Sequence, residues 1–267
     1  MKHTEIIFII DKSGSMSHLA GDTIGGFNGF IESQKALDGK ATLTTVLFDT
    51  YMKTLHNGVD IHEVKPMTKT DYIAGGATAM LDAIGETINK VQDRHDELAA
   101  EKPDSVLFVI TTDGEENSSR KFTKSQIEKM IKHQTNGHGW EFIFLGANMD
   151  AVQTANDIGI ASSHSHTYDY TSKGTLAMYD TLSATACTAR TTGLDDAFDL
   201  ASAYDASVHS AAKSYCDGIK SDITIDTYDG IATISSIDNV TVDKAVDALC
   251  DAISSATVDK LTDYLTY

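Results

Sequence analysis

The chain has 267 residues, 41% of them hydrophobic, and its formal net charge at pH 7 is −18. This length and composition suffice for one sizeable domain with a packed core, with or without a small appendage. The excess of acidic residues argues against sequence-independent binding of nucleic acid, which requires clustered lysine and arginine. It argues equally against an anionic membrane surface, so we expect neither kind of partner.

The apolar runs and the cysteines favour a cytoplasmic location. No apolar stretch of the sequence approaches the roughly 18 residues of a membrane span, and the run Ile6–Ile10 is shorter than the roughly 7–15 residues of a signal-peptide core. The three cysteines, Cys187, Cys216 and Cys250, form no CxxC pattern. They predict neither a disulfide framework nor a zinc site, and reduced thiols in a cytosol fit best.

Strands and helices alternate along the first two thirds of the sequence. Ile6–Ile10 is short, β-branched and apolar on both faces, which is typical of a buried parallel strand. Apolar residues at helical spacing predict helices over Asp22–Leu37 and Thr78–Ala100. Ala41–Phe48 and Tyr51–His56 are strand-like and form a predicted hairpin at the sheet edge. The remaining predicted elements are a strand over Ser105–Thr111, a helix over Lys124–Gln134, a strand over Trp140–Leu145, a helix over Asp150–Ile158 and a short strand over His164–Tyr168.

This alternation predicts an α/β fold. Crossover connections produce a mostly parallel sheet with helices on both faces, as in Rossmann-like proteins, and the hairpin adds one antiparallel edge strand. The composition changes after Thr191 towards Ala, Ser, Thr and Asp. We therefore predict one domain over residues 1–191 and an acidic C-terminal extension over residues 192–267.

The C-terminal extension carries more than half of the net negative charge. From Asp195 to Tyr267 there are 14 Asp, no Glu and 4 Lys, a net charge of −10. Helices are predicted over Leu194–Lys213 and Thr241–Leu265, and a hairpin over Asp222–Ile237, centred on Asp229-Gly230. The extension is most simply an α+β appendage with a solvated surface, and a charged docking platform is the alternative. The sequence indicates neither its role nor the oligomeric state.

Oxygen-bearing side chains follow two of the predicted strands. Asp11 ends the first strand, and Ser13 and Ser15 follow at alternating positions, while Asp113 follows the strand Ser105–Thr111. Because ligands of parallel sheets bind outside the carboxyl ends of the strands, both aspartates should lie at one edge. Hydroxyl and carboxylate oxygens suit Mg²⁺ or Mn²⁺ better than zinc.

A third segment, Gly75-Gly76-Ala77-Thr78, is a flexible loop with Thr78 at or near the start of a helix. Together, the DxSxS of Asp11–Ser15, the loop threonine and the strand-end Asp113-Gly114 resemble the von Willebrand factor A domain and its metal-ion-dependent adhesion site. The resemblance extends over residues 4–190. Ile24–Asn28 and Trp140–Asn148 are similar to a microbial and phage branch of that family, although many members have proline before the glycine pair.

The resemblance implies that Ser13 and Ser15 bind Mg²⁺ or Mn²⁺ directly. It implies that Asp11 and Asp113 bind directly or through water, and that Thr78 alternates between indirect and direct contact. An Asp or Glu of a partner protein would supply the remaining ligand. We therefore expect a Mg²⁺-dependent protein-binding module and not an enzyme, since no nucleophile with a paired general base is evident near the metal. The resemblance also implies an adaptor role, in some cases with a ring ATPase, which here would be a separate protein because the chain has no GxxxxGK[ST] loop.

Two other functions stay open. A Mg²⁺-dependent phosphohydrolase would use Asp11 as its nucleophile, but the acid/base aspartate expected two residues later is Ser13, which cannot act as an acid near neutral pH. A structural or assembly component of phage type would act through the C-terminal extension.

Several other residues have simple structural interpretations. His164 and His166 could form a metal pair, but no third ligand is apparent and a surface strand explains them. Asp82 is interpreted as a helix-start residue favoured by the helix dipole, and Glu115 and Glu116 as a solvated loop.

Overall fold

The computed structural model describes residues 2–147, 149–191, 223–228 and 231–237. The chain divides into two compact units, Met1–Ala203 and Tyr204–Tyr267. The strands described in the first unit are β1 (His3–Asp11), β2 (Lys40–Phe48), β3 (Met52–Asp60), β4 (Ser105–Thr112), β5 (Trp140–Ala147) and β6 (Ser165–Tyr168). Its helices are α1 (Ala20–Lys35), α2 (Met80–Leu98), α3 (Lys124–His138), α4 (Ala151–Asp157) and α5 (Ser172–Thr191).

The six strands form one sheet in the order β3-β2-β1-β4-β5-β6. β3 pairs antiparallel with β2, and the other neighbours are parallel. In the centre, Ile6 of β1 is level with Leu43 of β2 and with Leu107 of β4. This confirms the predicted fold class, and it brings the carboxyl ends of β1, β2 and β4 to the same edge.

The two faces of β1 pack against different helices. Ile7 and Ile9 belong to a buried cluster that includes side chains of α2, α3 and α4. Phe8, which points to the opposite face, packs edge-on against Phe27 and Phe30 of α1 with ring centroids 5.4 and 4.8 Å apart. Because both faces of the sheet are covered, the central strands are continuously apolar.

A buried acid attaches α2 to β1 at the edge opposite the carboxyl ends. Glu5 is almost fully buried, forms an ion pair with Arg94 and lies 2.7 Å from Nε2 of His95. Its Oε1 also accepts a hydrogen bond of 2.8 Å from the Thr44 hydroxyl. Since a buried carboxylate is tolerated only with such partners, the network fixes where the C-terminal part of α2 lies.

α5 is the main element that the sequence analysis missed. The residues that it buries are mostly small or hydroxylated, among them Gly174, Thr175, Ala177 and Thr181. A stripe of this kind gives little hydrophobic periodicity, so sequence patterns do not distinguish it from a loop. Within the described residues, no helix combines the length and apolar character that crossing a membrane requires.

The described part of the second unit is a hairpin. β7 (Ile223–Tyr228) and β8 (Ile231–Ile237) pair antiparallel, which confirms the hairpin predicted over Asp222–Ile237. The helices predicted over Leu194–Lys213 and Thr241–Leu265 lie outside the described residues.

The contact between α1 and α5 depends on a glycine. A Cβ at Gly26 would lie 2.2 Å from Cδ2 of Tyr179, so we expect Gly26→Ala to lower the free energy of unfolding by about 1–3 kcal/mol through overpacking. Gly25 and Gly29 lie on the same helix, and an added Cβ there would meet no atom within 4 Å. Gly25→Ala and Gly29→Ala should each stabilise the protein by about 0.5–1 kcal/mol. Urea denaturation measures all three, and equal effects of Gly26→Ala and Gly25→Ala would contradict this packing.

Candidate metal centre

Asp11 is the buried base of the candidate site. It ends β1 and is 0% exposed. Its Oδ1 accepts a hydrogen bond of 2.6 Å from the Ser13 N–H, and its Oδ2 accepts one of 2.6 Å from the Thr112 hydroxyl of β4. Burial raises the pKa of the Asp11 carboxyl to about 6, the charge of Asp113 adds to the increase, and the hydrogen bonds oppose it.

Ser13, Ser15 and Asp113 place three oxygens close together above Asp11. The Ser13 and Ser15 hydroxyl oxygens are 3.1 Å apart. Oδ1 of Asp113 lies 2.8 Å from the Ser15 hydroxyl and 3.4 Å from the Ser13 hydroxyl. Residues nearly one hundred positions apart thus meet because β1 and β4 are adjacent parallel strands.

The second carboxylate oxygen of Asp113, Oδ2, is buried and accepts no well-formed hydrogen bond from the described residues. The Tyr170 hydroxyl is close to this carboxylate but donates to the Ser15 carbonyl instead. Leaving a buried acceptor unsatisfied costs about 1–3 kcal/mol, and more for a charged group. An unpaired carboxylate oxygen beside two hydroxyls is therefore suited to accept a cation.

The spacing of the three oxygens fits a magnesium ion. Mg²⁺ binds oxygens at about 2.0–2.1 Å in octahedral geometry, so neighbouring ligand oxygens are about 3 Å apart. The separations of 2.8, 3.1 and 3.4 Å match one triangular face of such an octahedron. No group of three or more His, Cys, Asp and Glu side chains within the described ranges could hold a metal, so the two hydroxyls are essential to the donor set.

Thr78 lies next to this cluster without bonding to it directly. Its N–H donates to Oδ1 of Asn117 (2.9 Å), and its carbonyl accepts the N–H of Asn117 (3.1 Å). A Cβ at Gly114 would lie 3.4 Å from the Thr78 hydroxyl oxygen. The structure thus brings Asp11, Ser13, Ser15 and Asp113 into one hydrogen-bonded group and places Thr78 beside it. The metal-ligand roles of all five stay predictions.

The glycine pair joins the loop before Thr78 to the Asp11–Ser15 segment. The Gly75 N–H donates to the Lys12 carbonyl (2.9 Å), and the Gly14 N–H donates to the Gly76 carbonyl (3.2 Å). Gly76 has a φ of 75°, which residues with a side chain rarely adopt. The two loops are consequently held together by their backbones.

Sequence reasoning missed two residues that support the site. Thr112 orients Asp11 through its hydroxyl, which also accepts a hydrogen bond of 3.2 Å from the Gly114 N–H. In the sequence, only its position directly before Asp113 indicates this role. Tyr170 donates to the Ser15 carbonyl and packs edge-on against His18. Burial and the adjacent Asp113 carboxylate raise the pKa of the Tyr170 hydroxyl. No local pattern identifies Tyr170, which is distant from the motif in sequence.

Glu116 lies in the predicted loop, but its carboxylate is bonded within the protein and not only to solvent. Its carboxylate accepts hydrogen bonds from the N–H groups of Leu81 (2.9 Å) and Ser119 (2.7 Å), so it caps the start of α2. Asp82 accepts the N–H groups of residues 120–122. These bonds lower its pKa although burial opposes the change. The hydrogen bonds of Glu116 and Asp82 together fix the segment that follows Asp113.

His164 contacts an acidic side chain of β5. Its Nε2 lies 3.2 Å from the carboxylate of Glu141, a residue of that strand. Trp140, predicted to pack in the core, is buried and stacks on Phe108 with ring centroids 5.3 Å apart, which confirms that prediction.

The conformation of Gly76 gives a stability prediction. A Cβ at Gly76 would lie 3.0 Å from the Thr50 hydroxyl oxygen and 3.2 Å from Cγ of Asp49. Because the positive φ adds strain, we expect Gly76→Ala to lower the free energy of unfolding by about 1–2 kcal/mol. Gly75→Ala is the matched control, since nothing lies within 4 Å of its added Cβ. Chemical denaturation of both variants tests this, and an unchanged midpoint for Gly76→Ala would refute it.

Comparison with known proteins supports the fold. No protein-family model and no curated protein matches the chain. Among solved structures, it resembles the pilus adhesin SpaC from Lactobacillus rhamnosus GG (13% identity, 70% of this chain, 30% of that chain, TM-score 0.51). It also resembles von Willebrand factor type A from Catenulispora acidiphila (14% identity, 70% of this chain, 43% of that chain, TM-score 0.47). A third similar structure is proximal thread matrix protein 1 from the mussel byssus (14% identity, 70% of this chain, 46% of that chain, TM-score 0.47).

The chain spans less than half the length of each of these three structures, and identities this low concern the fold alone. The six-stranded sheet with one antiparallel edge strand and helices on both faces is the predicted α/β, Rossmann-like architecture, and the metal-ion-dependent adhesion site stays a prediction.

Proposed function

We propose that this chain is a protein-binding module that depends on a divalent metal. Mg²⁺ or Mn²⁺ would be held by Ser13, Ser15 and Asp113, supported by Asp11 and Thr78, and would coordinate an Asp or Glu side chain of a partner protein. The observation that carries the proposal is the triangle of two hydroxyls and one carboxylate oxygen, 2.8–3.4 Å apart, beside an unpartnered carboxylate oxygen.

The donor set explains why such a metal would accept an acidic ligand. Two of the ligands are neutral hydroxyls, so the ion keeps much of its positive charge. Mg²⁺ also usually retains several exchangeable waters, one of which a carboxylate can replace. The metal would let a chain of net charge −18 bind an acid that it would otherwise repel.

The contacts of Asp11 favour binding over phosphoryl transfer. Asp11 is fully buried, and each of its carboxylate oxygens accepts a hydrogen bond within the protein, so an incoming phosphoryl group has little access to it. Ser13 stands where a phosphohydrolase needs an acid. The cytoplasmic location, a separate ATPase partner and a phage-type assembly role stay predictions.

The first test removes the proposed ligands. We expect the Ser13→Ala/Ser15→Ala double variant and Asp113→Asn each to weaken Mg²⁺ binding at least about tenfold, because the first removes two hydroxyl ligands and the second removes the negative charge beside the ion. Isothermal titration calorimetry of the full chain measures the affinity. At a Mg²⁺ concentration of 100 times the wild-type Kd, the wild type should also gain about 2.7 kcal/mol of stability, and a variant with tenfold weaker affinity should gain about half of that.

Two neighbouring residues supply controls for this titration. Ser17 is exposed on the turn that contains Ser15, and Glu115 is exposed two residues beyond Asp113. Ser17→Ala and Glu115→Gln should leave Mg²⁺ affinity unchanged. The metal site is disproved if the double variant titrates like the wild type.

The second test concerns the partner. Proteins captured by the immobilised chain from a lysate of its source organism in Mg²⁺ should be released by excess chelator, because the ion forms part of the contact. The Ser13→Ala/Ser15→Ala bait should capture none of the released species, whereas Ser17→Ala should capture all of them. Mass spectrometry compares the eluates, and partners retained in chelator would mean that another surface binds them.

A further inference from the structure

Two large hydrophobic side chains are strongly exposed on the described surface of the first unit. Tyr51 is 80% exposed and Ile73 is 67% exposed, whereas Leu176, the next, is 45% exposed. Single exposed apolar residues are ordinary, so their meaning depends on their location. Both lie on loops that contact the Asp11–Ser15 segment.

Tyr51 is held by a tight turn at the carboxyl end of β2. Its N–H donates to Oδ1 of Asp49 (2.7 Å), and its carbonyl accepts the Asp49 N–H (3.0 Å). Asp49 forms an ion pair with Lys12, the residue between Asp11 and Ser13. The exposed ring therefore projects from a turn that is attached to the candidate metal loop.

Ile73 is fixed between two further attachments to the same loop. The hydroxyl of the buried Tyr72 donates to the Asp11 carbonyl (2.5 Å). The Gly75 N–H donates to the Lys12 carbonyl (2.9 Å). Because Tyr72 and Gly75, on either side of Ile73 and Ala74, are bonded to residues 11 and 12, the backbone of Ile73 is positioned while its side chain stays exposed.

The charged groups around these two side chains are paired within the protein. Lys12 pairs with Asp49, and Lys53 lies 3.3 Å from Asp71. This side of the rim therefore presents apolar surface next to charges that already neutralise one another. A partner that buries this apolar area would gain binding free energy from the hydrophobic effect.

We propose that Tyr51 and Ile73 form an apolar ledge that binds a hydrophobic side chain of the partner, carried by the same peptide segment as its metal-binding Asp or Glu. The inference rests on the proposed function, since the ion is what would hold the acid. The loops that carry the two side chains are bonded to residues 11 and 12, next to the candidate metal ligands. The occupant is thus a peptide segment that combines one acid with a nearby apolar residue, and the ledge selects it among acidic sequences.

A displayed library of short random peptides tests the ledge. Peptides are selected on the full-length chain in Mg²⁺ and eluted with chelator. We expect the recovered sequences to contain Asp or Glu together with an aromatic or aliphatic residue at a constant spacing from it. Synthetic peptides of these sequences should bind Tyr51→Ser and Ile73→Ser about tenfold more weakly than the wild type, while the Mg²⁺ affinity of both variants is unchanged.

Leu98 supplies the matched control. It is also an exposed large hydrophobic residue, 38% exposed, and it lies at the C-terminal end of α2, shortly before β4 begins at the opposite edge of the sheet. Leu98→Ser should bind the peptides like the wild type. Peptides with acids but no apolar neighbour, or equal losses for Leu98→Ser and Tyr51→Ser, overturn the ledge and leave the metal proposal intact. Failure to recover any acidic, chelator-eluted peptide overturns the metal proposal itself.

Discussion

The hydrogen bond between Thr112 and Asp11 ties together the parts of the candidate site. It crosses from β4 to β1 at their carboxyl ends, and the same threonine accepts the N–H of Gly114. One side chain therefore orients the buried carboxylate and sets the path of the segment that carries Asp113. Because Asp11 is fully buried, its acceptors must be satisfied within the protein, and Ser13 satisfies the other oxygen through its backbone N–H.

The two aspartates consequently have different surroundings. Asp11 has partners on both oxygens and stabilises the turn that presents Ser13 and Ser15. Asp113 has one oxygen bonded to the serine hydroxyls and one buried oxygen without a partner among the described residues. A carboxylate with one buried, unsatisfied oxygen is destabilised unless something compensates it, which is the physical basis for proposing a cation at this position. The surrounding loops are tied to this centre by backbone bonds and by the Lys12–Asp49 ion pair, and they carry the ledge of Tyr51 and Ile73.

Sequence patterns predicted correctly the strands that are buried on both faces and the helix with a continuous apolar stripe. β1, β4 and β5 are covered on both faces, so each is a continuous apolar run, and α2 has a strong apolar stripe that ends before Pro103. α5 was missed because it packs through small and hydroxylated residues, and its approach to α1 requires Gly26 beneath Tyr179. The hydrogen bonds of Glu116 were not predicted because its partners, the N–H groups at the start of α2, are distant in sequence.

By itself the sequence determined the α/β class, the sheet edge that carries Asp11 and Asp113, and the chemical type of the donors, because strand periodicity and ligand chemistry are local properties. Only the tertiary structure decided the separations among the side-chain oxygens of Ser13, Ser15 and Asp113. It also decided that Thr78 lies beside this cluster and that Thr112 and Tyr170 support it. Those features depend on contacts between residues far apart in the chain. Their geometry follows from the register of β1 with β4 and the docking of α5, which no local pattern encodes.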